Sequence, residues 1–182
     1  MEVVRSISLS RGFTAIVSAA DYPELSRFTW SARFNEITGS WYAVRNTWIN
    51  GSRQTVQMGR QVLGLEHDDL RQADHENHDT LDNRRENLRV ATAKQNCQNR
   101  RRRSDNKSTY KGVSWNSKIS KAGKWRVQIW LNGTNFTIGH FTDPIEAALA
   151  YDARARQEFG EFAYCNFPAD FNHQPTSLPI AA

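Results

Sequence analysis

Two Asn-Gly pairs, Asn50-Gly51 and Asn132-Gly133, each stand between runs of strand-forming residues. A two-residue hairpin turn whose twist matches its strands needs positive φ at both central positions, and Asn-Gly supplies that at the least steric cost. WYAVRNTWI and SRQTVQM are therefore predicted to pair as one hairpin, and KWRVQIWL and TNFTIGHF as a second. Such a chain is built from small β-rich units. RGFTAIVS, with its apolar β-branched content, is expected to add another strand to the N-terminal β-rich unit.

After the second hairpin, Asp143-Pro144-Ile145-Glu146 reads as an N-cap, a proline at the first helical position and the Glu of a capping-box-like pair. Gly160 is placed to end that helix, and Ile145, Ala148, Leu149 and Ala155 form its expected apolar stripe. In KWRVQIWL the period of two sends Trp125, Val127, Ile129 and Leu131 to one face and Arg126, Gln128 and Trp130 to the other. The apolar set should pack on the helix. The string RRRRSDNKS, without an apolar residue, reads as a helix end running into a linker.

The formal net charge of +5 conceals its distribution. From Arg84 to Arg126 there are fourteen Lys or Arg against two acids, Glu86 and Asp105, while the remaining chain is acidic, with ten bases against seventeen acids. A basic block of this kind is an electrostatic footprint for a polyanion, and Arg is suited to bidentate phosphate contact. No apolar run approaches the roughly 20 residues that cross a bilayer, and MEVVRSISLS lacks the basic-then-apolar pattern of a signal peptide. Cys97 and Cys165 are isolated, so neither a disulfide framework nor a zinc cluster is indicated. The expectation is a cytoplasmic protein, in a bacterial or phage-infected cell, without a membrane or protein partner and monomeric.

The stretch ADHENHDTLDNRRENLRVATAKQNCQNRRRR, from Ala73 to Arg103, leads into the basic block and overlaps its first part. Leu70 to Ala73 can form a strand leading into Asp74-His75, with Leu88-Arg89-Val90 as its returning partner. Thr92 is placed to cap a helix on which Asn96 lies one turn in, with Arg100 and Arg103 on the same side. A carboxylate and an amide oxygen are hard ligands suited to Mg²⁺ or Mn²⁺. A neutral imidazole with an unperturbed pKa near 6.5 can take a proton from water at pH 7. These residue types suit metal-assisted phosphodiester cleavage, with His75 as the base. Asp82-Asn83 reads as a turn, Asn99 as a surface or phosphate-facing residue, and His67 and His78 as solvent-facing.

Asp74-His75, Asp82-Asn83, Asn87-Leu88 and Asn96 together resemble the HNH nucleases with the ββα-metal fold. The phrase DNRRENLRVAT followed by QN resembles the subgroup of phage and intron homing endonucleases in which Asn replaces the final metal-binding His. That resemblance implies Asp74 and Asn96 on the metal, His75 as general base, and Asn87 as the residue that orients His75 and braces the loop. Relatives often carry a His-Arg pair after the N-terminal hairpin, where this chain has Gly59-Arg60, which leaves Arg60 as a phosphate contact. A second resemblance covers residues 108 to 167. YKGVSW, GKWRVQIWLNG, IGHF and DPIEAALAYDARARQEFGEFAYCNF look like the APETALA-type (ethylene-response-factor) DNA-binding domain, three antiparallel strands on one helix. It implies a sheet face in the major groove made of Lys111, Ser114, Asn116, Arg126, Gln128, Trp130, Asn135 and Thr137. Plant members use several arginines on this face; here Ser, Asn, Gln and Thr replace most of them, so their sequence preference does not carry over.

The expected molecule is thus α+β: an N-terminal β-rich unit (1–72), a ββα-metal HNH core (73–103), a linker (104–107), an APETALA-like domain (108–167) and a tail (168–182). The expected activity is that of an HNH homing-type endonuclease, using Mg²⁺ or Mn²⁺ to hydrolyse, and preferentially nick, double-stranded DNA. Arg84, Arg85, Arg100 and Arg103 would neutralise the DNA backbone. The alternative is a catalytically silent, sequence-specific DNA-binding regulator, which would use the same basic block without needing Asp74, His75 and Asn96 together.

Overall fold

The computed structural model describes residues 3–101, 108–118 and 124–171, and the chain divides into two compact units, residues 1–96 and 97–182. The fold is α+β in both. In the first unit, β1 (Val4–Ser8) and β2 (Thr14–Ser18) pair antiparallel. A single helical turn, α1 (Tyr22–Leu25), leads to β3 (Ser31–Asn35), β4 (Ser40–Ile49) and β5 (Ser52–Gln57), which form a separate antiparallel sheet in chain order. The expected hairpin closes between Ile49 and Ser52, with φ of 50° at Asn50 and 74° at Gly51. RGFTAIVS forms a strand of this unit, β2, as expected, and its partner is β1. Its alternation buries Ala15 and Val17 completely, in one core with Ile7 of β1. Alternation specifies the buried face of a strand and leaves its partner open.

The chain continues through α2 (Met58–Val62), β6 (Gln72–His75), β7 (Asp82–Asn83), β8 (Leu88–Ala91) and α3 (Ala93–Gln98). β6 and β8 pair antiparallel as expected, although the first strand runs from Gln72 to His75 and not from Leu70 to Ala73. β7 instead adds to the first sheet, parallel to β2, through Ile16 with Asp82 and Val17 with Asn83. One hydrophobic core joins Ile7, Val17, Leu25, Trp30, Met58, Val62 and Leu88. The β-rich unit and the β6–β8 hairpin thus share a core, and the compact unit runs through both to Asn96. A hairpin with so few apolar residues has little to bury by itself.

In the second unit, β9 (Val113–Asn116), β10 (Lys124–Leu131) and β11 (Thr134–Phe141) form a three-stranded antiparallel sheet in the order β11-β10-β9, packed on α4 (Pro144–Phe159). Asn132 and Gly133 turn the hairpin at φ of 48° and 83°. A bulge interrupts the β10–β11 register between Val127 and Gln128. Asp143 caps α4 by accepting from the Ile145 N–H at 2.7 Å, and Gly160 ends it at φ 55°. The buried stripe is Ala147, Ala148, Tyr151, Asp152 and Ala155, so Ala148 and Ala155 lie where expected while Ile145 and Leu149 are only half-buried. The alanines leave room for the helix to approach Val113, Val127 and Ile129 closely.

Candidate functional site

His75 is the last residue of β6, paired with Leu88, and Asp74 stands opposite Arg89. Both are buried, Asp74 at 4% and His75 at 7% exposure. Neighbouring strand residues face opposite ways. Asp74 accordingly pairs with Arg89, Oδ2 to Nε at 2.8 Å. The His75 ring turns toward Asn83, with Nε2 donating to Oδ1 at 3.3 Å, and meets the Tyr42 ring edge-on at 6.4 Å between centroids. An amide oxygen only accepts, so this bond puts the proton on Nε2 and the basic lone pair on Nδ1. Burial pushes the imidazole pKa below its ordinary value, opposed by the Asn83 bond and by Asp74, Asp79 and Asp82. The ring is therefore neutral at pH 7, the state a general base requires.

Asn87 clamps the loop that joins β6 to β8. Its Oδ1 accepts from the Asn77 N–H at 2.9 Å, its Nδ2 donates to the Asp82 carbonyl at 2.7 Å, and its own carbonyl accepts from the Glu76 N–H at 2.9 Å. Thr80 ties the same loop to the sheet through a short bond from its hydroxyl to the Trp41 carbonyl. The described bond to the His75 ring comes from Asn83, which the sequence reading assigns to a turn. Asn83 is 1% exposed, and its Nδ2 is buried without a hydrogen-bond partner. Its position follows from the β2–β7 pairing and from Gly59, where an added Cβ would lie 3.2 Å from Asn83 Oδ1 and 3.3 Å from Leu88 Cδ2. The motif shows a missing imidazole at that position; the fold shows why a small residue stands there.

Thr92 caps α3 as expected, in a reciprocal box: Gln95 N–H donates to Thr92 Oγ1 at 3.2 Å and Thr92 N–H to Gln95 Oε1 at 2.8 Å. Asn96, one turn on, donates from Nδ2 to Gln72 Oε1 at 2.6 Å. Gln72 and Asp74 lie two apart on β6 and face the same side. The tie therefore brings the Asn96 amide to the face of β6 that carries Asp74. Asn96 Oδ1 and the Asp74 carboxylate are hard oxygen donors, of the kind that could hold Mg²⁺ or Mn²⁺. Among the described residues no three His, Cys, Asp or Glu side chains cluster to hold an ion, so a metal here would keep most of its shell for water and substrate oxygens.

The basic residues of this unit are largely engaged. Arg84 bonds Asp82 through Nε and Nη2, at 2.8 and 2.7 Å, and pairs with Glu86 as well. Its guanidinium holds the Asp82 carboxyl below the usual carboxylate range. Arg85 bonds both oxygens of Asp21, the shortest contact being 2.6 Å. Arg60 donates to the carbonyls of Glu66, Asp69 and Arg71, at 2.5, 2.9 and 2.5 Å, and so braces the segment before β6. His67 is exposed, whereas His78 is half-buried in a left-handed turn at φ 63°.

In the second unit Arg100 is exposed and Arg103 lies outside the described residues. Asn99, expected at the surface, is 5% exposed. On the sheet, Ser114 stands opposite Arg126, Asn116 opposite Lys124, Gln128 opposite Thr137 and Trp130 opposite Asn135. Cross-strand partners share a face, so Ser114, Asn116, Arg126, Gln128, Trp130, Asn135 and Thr137 all lie on the side away from α4. Trp130 is 64% exposed there, and the Arg126 Nε is buried without a partner. Lys111 is not on this face in any accessible sense: its ammonium donates to the carbonyls of Gln98 and Arg100.

No family model matches the chain. The chain is 33% identical over 106 residues to dehydration-responsive element-binding protein 2D of Arabidopsis thaliana, a match covering 55% of this chain and 48% of that protein. It is 36% identical over 93 residues to an uncharacterized HNH endonuclease of Acanthamoeba polyphaga mimivirus, covering 51% of this chain and 46% of the viral protein. The chain spans about half the length of the curated relatives it matches.

Proposed function

We propose that the chain is a metal-dependent DNA endonuclease of the HNH homing type, with the first unit cutting and the sheet of the second unit selecting the site. The observation that carries this reading is the Asn96–Gln72 bond, which puts a helix-borne amide on the Asp74 face of β6, one residue before a neutral, oriented imidazole. His75 Nδ1 accepts a proton from water as the water oxygen bonds to phosphorus, and the P–O3′ bond breaks in line with its electron pair going to the 3′-oxygen, which takes a proton from solvent water, leaving 5′-phosphate and 3′-hydroxyl ends. A bound Mg²⁺ or Mn²⁺ would supply positive charge beside the phosphoryl and departing oxygens. Asp74 and Asn96 are the residues that would hold it. Arg89, at 2.8 Å from Asp74, holds that buried carboxylate in place. A single centre cuts one strand per encounter, so nicking is the expected outcome. The two relatives, one named as an uncharacterized HNH endonuclease and one named for binding a dehydration-responsive element, support the pairing of these two jobs in one chain.

The test is supercoiled-plasmid relaxation with and without Mg²⁺, by the intact protein and by His75→Ala. Nicked circles that appear only with metal and only with His75 are expected. DNA binding without any cleavage under these conditions would replace the enzyme by a catalytically silent regulator.

A further inference from the structure

Lys111 is a sequence-expected DNA contact whose ammonium the fold turns inward. Its Nζ donates to the Gln98 carbonyl at 2.8 Å and the Arg100 carbonyl at 2.7 Å, and lies 5.0 Å from the centroid of the Tyr164 ring. Burial pushes its pKa down to about 8, which leaves it mostly charged at neutral pH. The backbone on either side is held as well. The Lys111 N–H donates to Asn166 Oδ1 at 2.6 Å, and Asn166 Nδ2 returns a bond to the Lys111 carbonyl at 3.2 Å. Asn166 is fastened in turn to the fully buried Asp152, whose Oδ1 accepts from its N–H and its Nδ2 at 2.8 and 2.9 Å. The next residue, Gly112, sits at φ 77° against Tyr151, where an added Cβ would lie 2.0 Å from the ring. Neither the backbone nor the side chain of Lys111 is placed to swing toward a groove.

The two carbonyls it grips lie at the end of α3, where the last turn leaves acceptors unmatched and a lysine is a favoured partner. Arg100 and Arg101 follow at once, both exposed. We propose that Lys111 is a positioning residue that clasps the backbone of residues 98–100 and thereby presents Arg100 and Arg101, already ordered, to the phosphates of duplex DNA. An arm ordered before binding loses less conformational freedom when it binds. The presentation half of this proposal rests on the DNA-binding reading above; the clasp does not.

The clasp is tested first on the wild-type protein by amine acylation read by mass spectrometry. Lys111 is expected to be protected relative to exposed Lys118 without DNA, and to stay so when a random-sequence duplex is added. A Lys111 that reacts freely and is shielded only by DNA overturns the proposal. Lys111→Met should then speed tryptic cleavage after Arg100 and Arg101 by about tenfold in the free protein, as local order is lost. On the same duplex it should lower affinity by a similar factor at every salt concentration with the salt slope unchanged. A slope shallower by about 0.9 marks the loss of a direct phosphate contact and overturns the clasp. In an Arg100→Ala/Arg101→Ala background Lys111→Met should cost nothing further; a full effect there means that Lys111 does not act through the arm. If the wild-type protein has no affinity for the duplex, the DNA reading fails, while protection of Lys111 still decides the clasp. Should Lys111→Met fail to fold, the wild-type acylation pattern remains decisive.

Discussion

In the loop after β6 and the strand β8 that follows it, Arg84, Arg85 and Arg89 each meet a carboxylate: Asp82 and Glu86, Asp21, and Asp74 and Glu76. On the outer face of the second unit's sheet, Arg126 stands among Ser114, Gln128, Asn135 and Thr137, and the described bond across that face joins two neutral groups, Gln128 and Thr137. The loop is richer in positive charge and the sheet face richer in charge that is not already matched. Side chains that build a site and side chains that meet a polyanion draw on the same residue types. Their partners, which a sequence does not display, separate the two. On the proposed reading, the first unit holds its chemistry rigid and the second offers the surface that meets DNA.

The strongest way to break that division is to remove the base. His75→Ala should lower cleavage by roughly 10² to 10⁴ while leaving duplex affinity nearly unchanged, because no phosphate contact is assigned to the buried ring. Plasmid nicking and fluorescence anisotropy on the same preparation check this. A parallel fall in affinity would mean that the first unit also binds through this residue.

Gly112→Ala attacks the other side. A side chain at φ 77° set against the Tyr151 ring is expected to destabilise the second unit by about 2 to 4 kcal/mol. Thermal unfolding should reveal an early transition, with site preference lost and metal-dependent nicking retained at low salt. Nicking that vanishes together with that transition would show that the two units do not work separately.

Within the first unit, Asn96→Ala or Asp74→Ala should raise the Mg²⁺ concentration needed for half-maximal nicking by about ten- to a hundredfold. Asn87→Ala and Gly59→Ala should lower the rate at saturating Mg²⁺ instead, since the one frees the loop and the other presses on Asn83. Magnesium titrations distinguish the two groups. A shifted requirement in Gly59→Ala would place Asn83 nearer the ion than the base.

Local features were the legible ones. Asn50-Gly51 and Asn132-Gly133 fold their own neighbours, the Thr92 cap is settled within one turn, and alternation along β10 assigns its two faces. What escaped depends on partners distant in sequence. The parallel rung between β2 and β7 carries Asn83 to His75, and no pattern in Asp82-Asn83 distinguishes that rung from a turn. Arg85 is matched by Asp21, sixty-four residues away. Lys111 keeps the spacing of a DNA contact, and only the position of the Gln98 and Arg100 carbonyls shows that it is held inside. The charge count over this region measures composition correctly and accessibility poorly.

On the sheet face, Arg126→Ala or Gln128→Ala should relax preference at one or two base pairs by about 1 to 3 kcal/mol each, with little effect on binding to random duplex. Competition between a selected site and random DNA measures it. Equal weakening of both would make these residues backbone contacts.

The smallest expected effect sharpens the comparison most. Arg85 is bidentate to Asp21, and its side chain is 57% exposed, so the pair contributes at most about 1 kcal/mol to stability. If Asp21 neutralises the guanidinium for DNA as well, Arg85→Ala should leave the salt slope of duplex binding within experimental error of wild type. Asp21→Asn should then release the guanidinium, raising affinity and steepening the slope by up to about 0.9. The pair of variants separates two molecules that one substitution cannot. In the first, the loop arginines are internal struts and Asp21→Asn alone adds a phosphate contact. In the second, Arg85 leaves Asp21 when DNA arrives, so Arg85→Ala flattens the slope by about 0.9 and Asp21→Asn changes affinity without changing the slope. The second result would return the loop to the DNA surface and end the division drawn here between a closed first unit and an open second one.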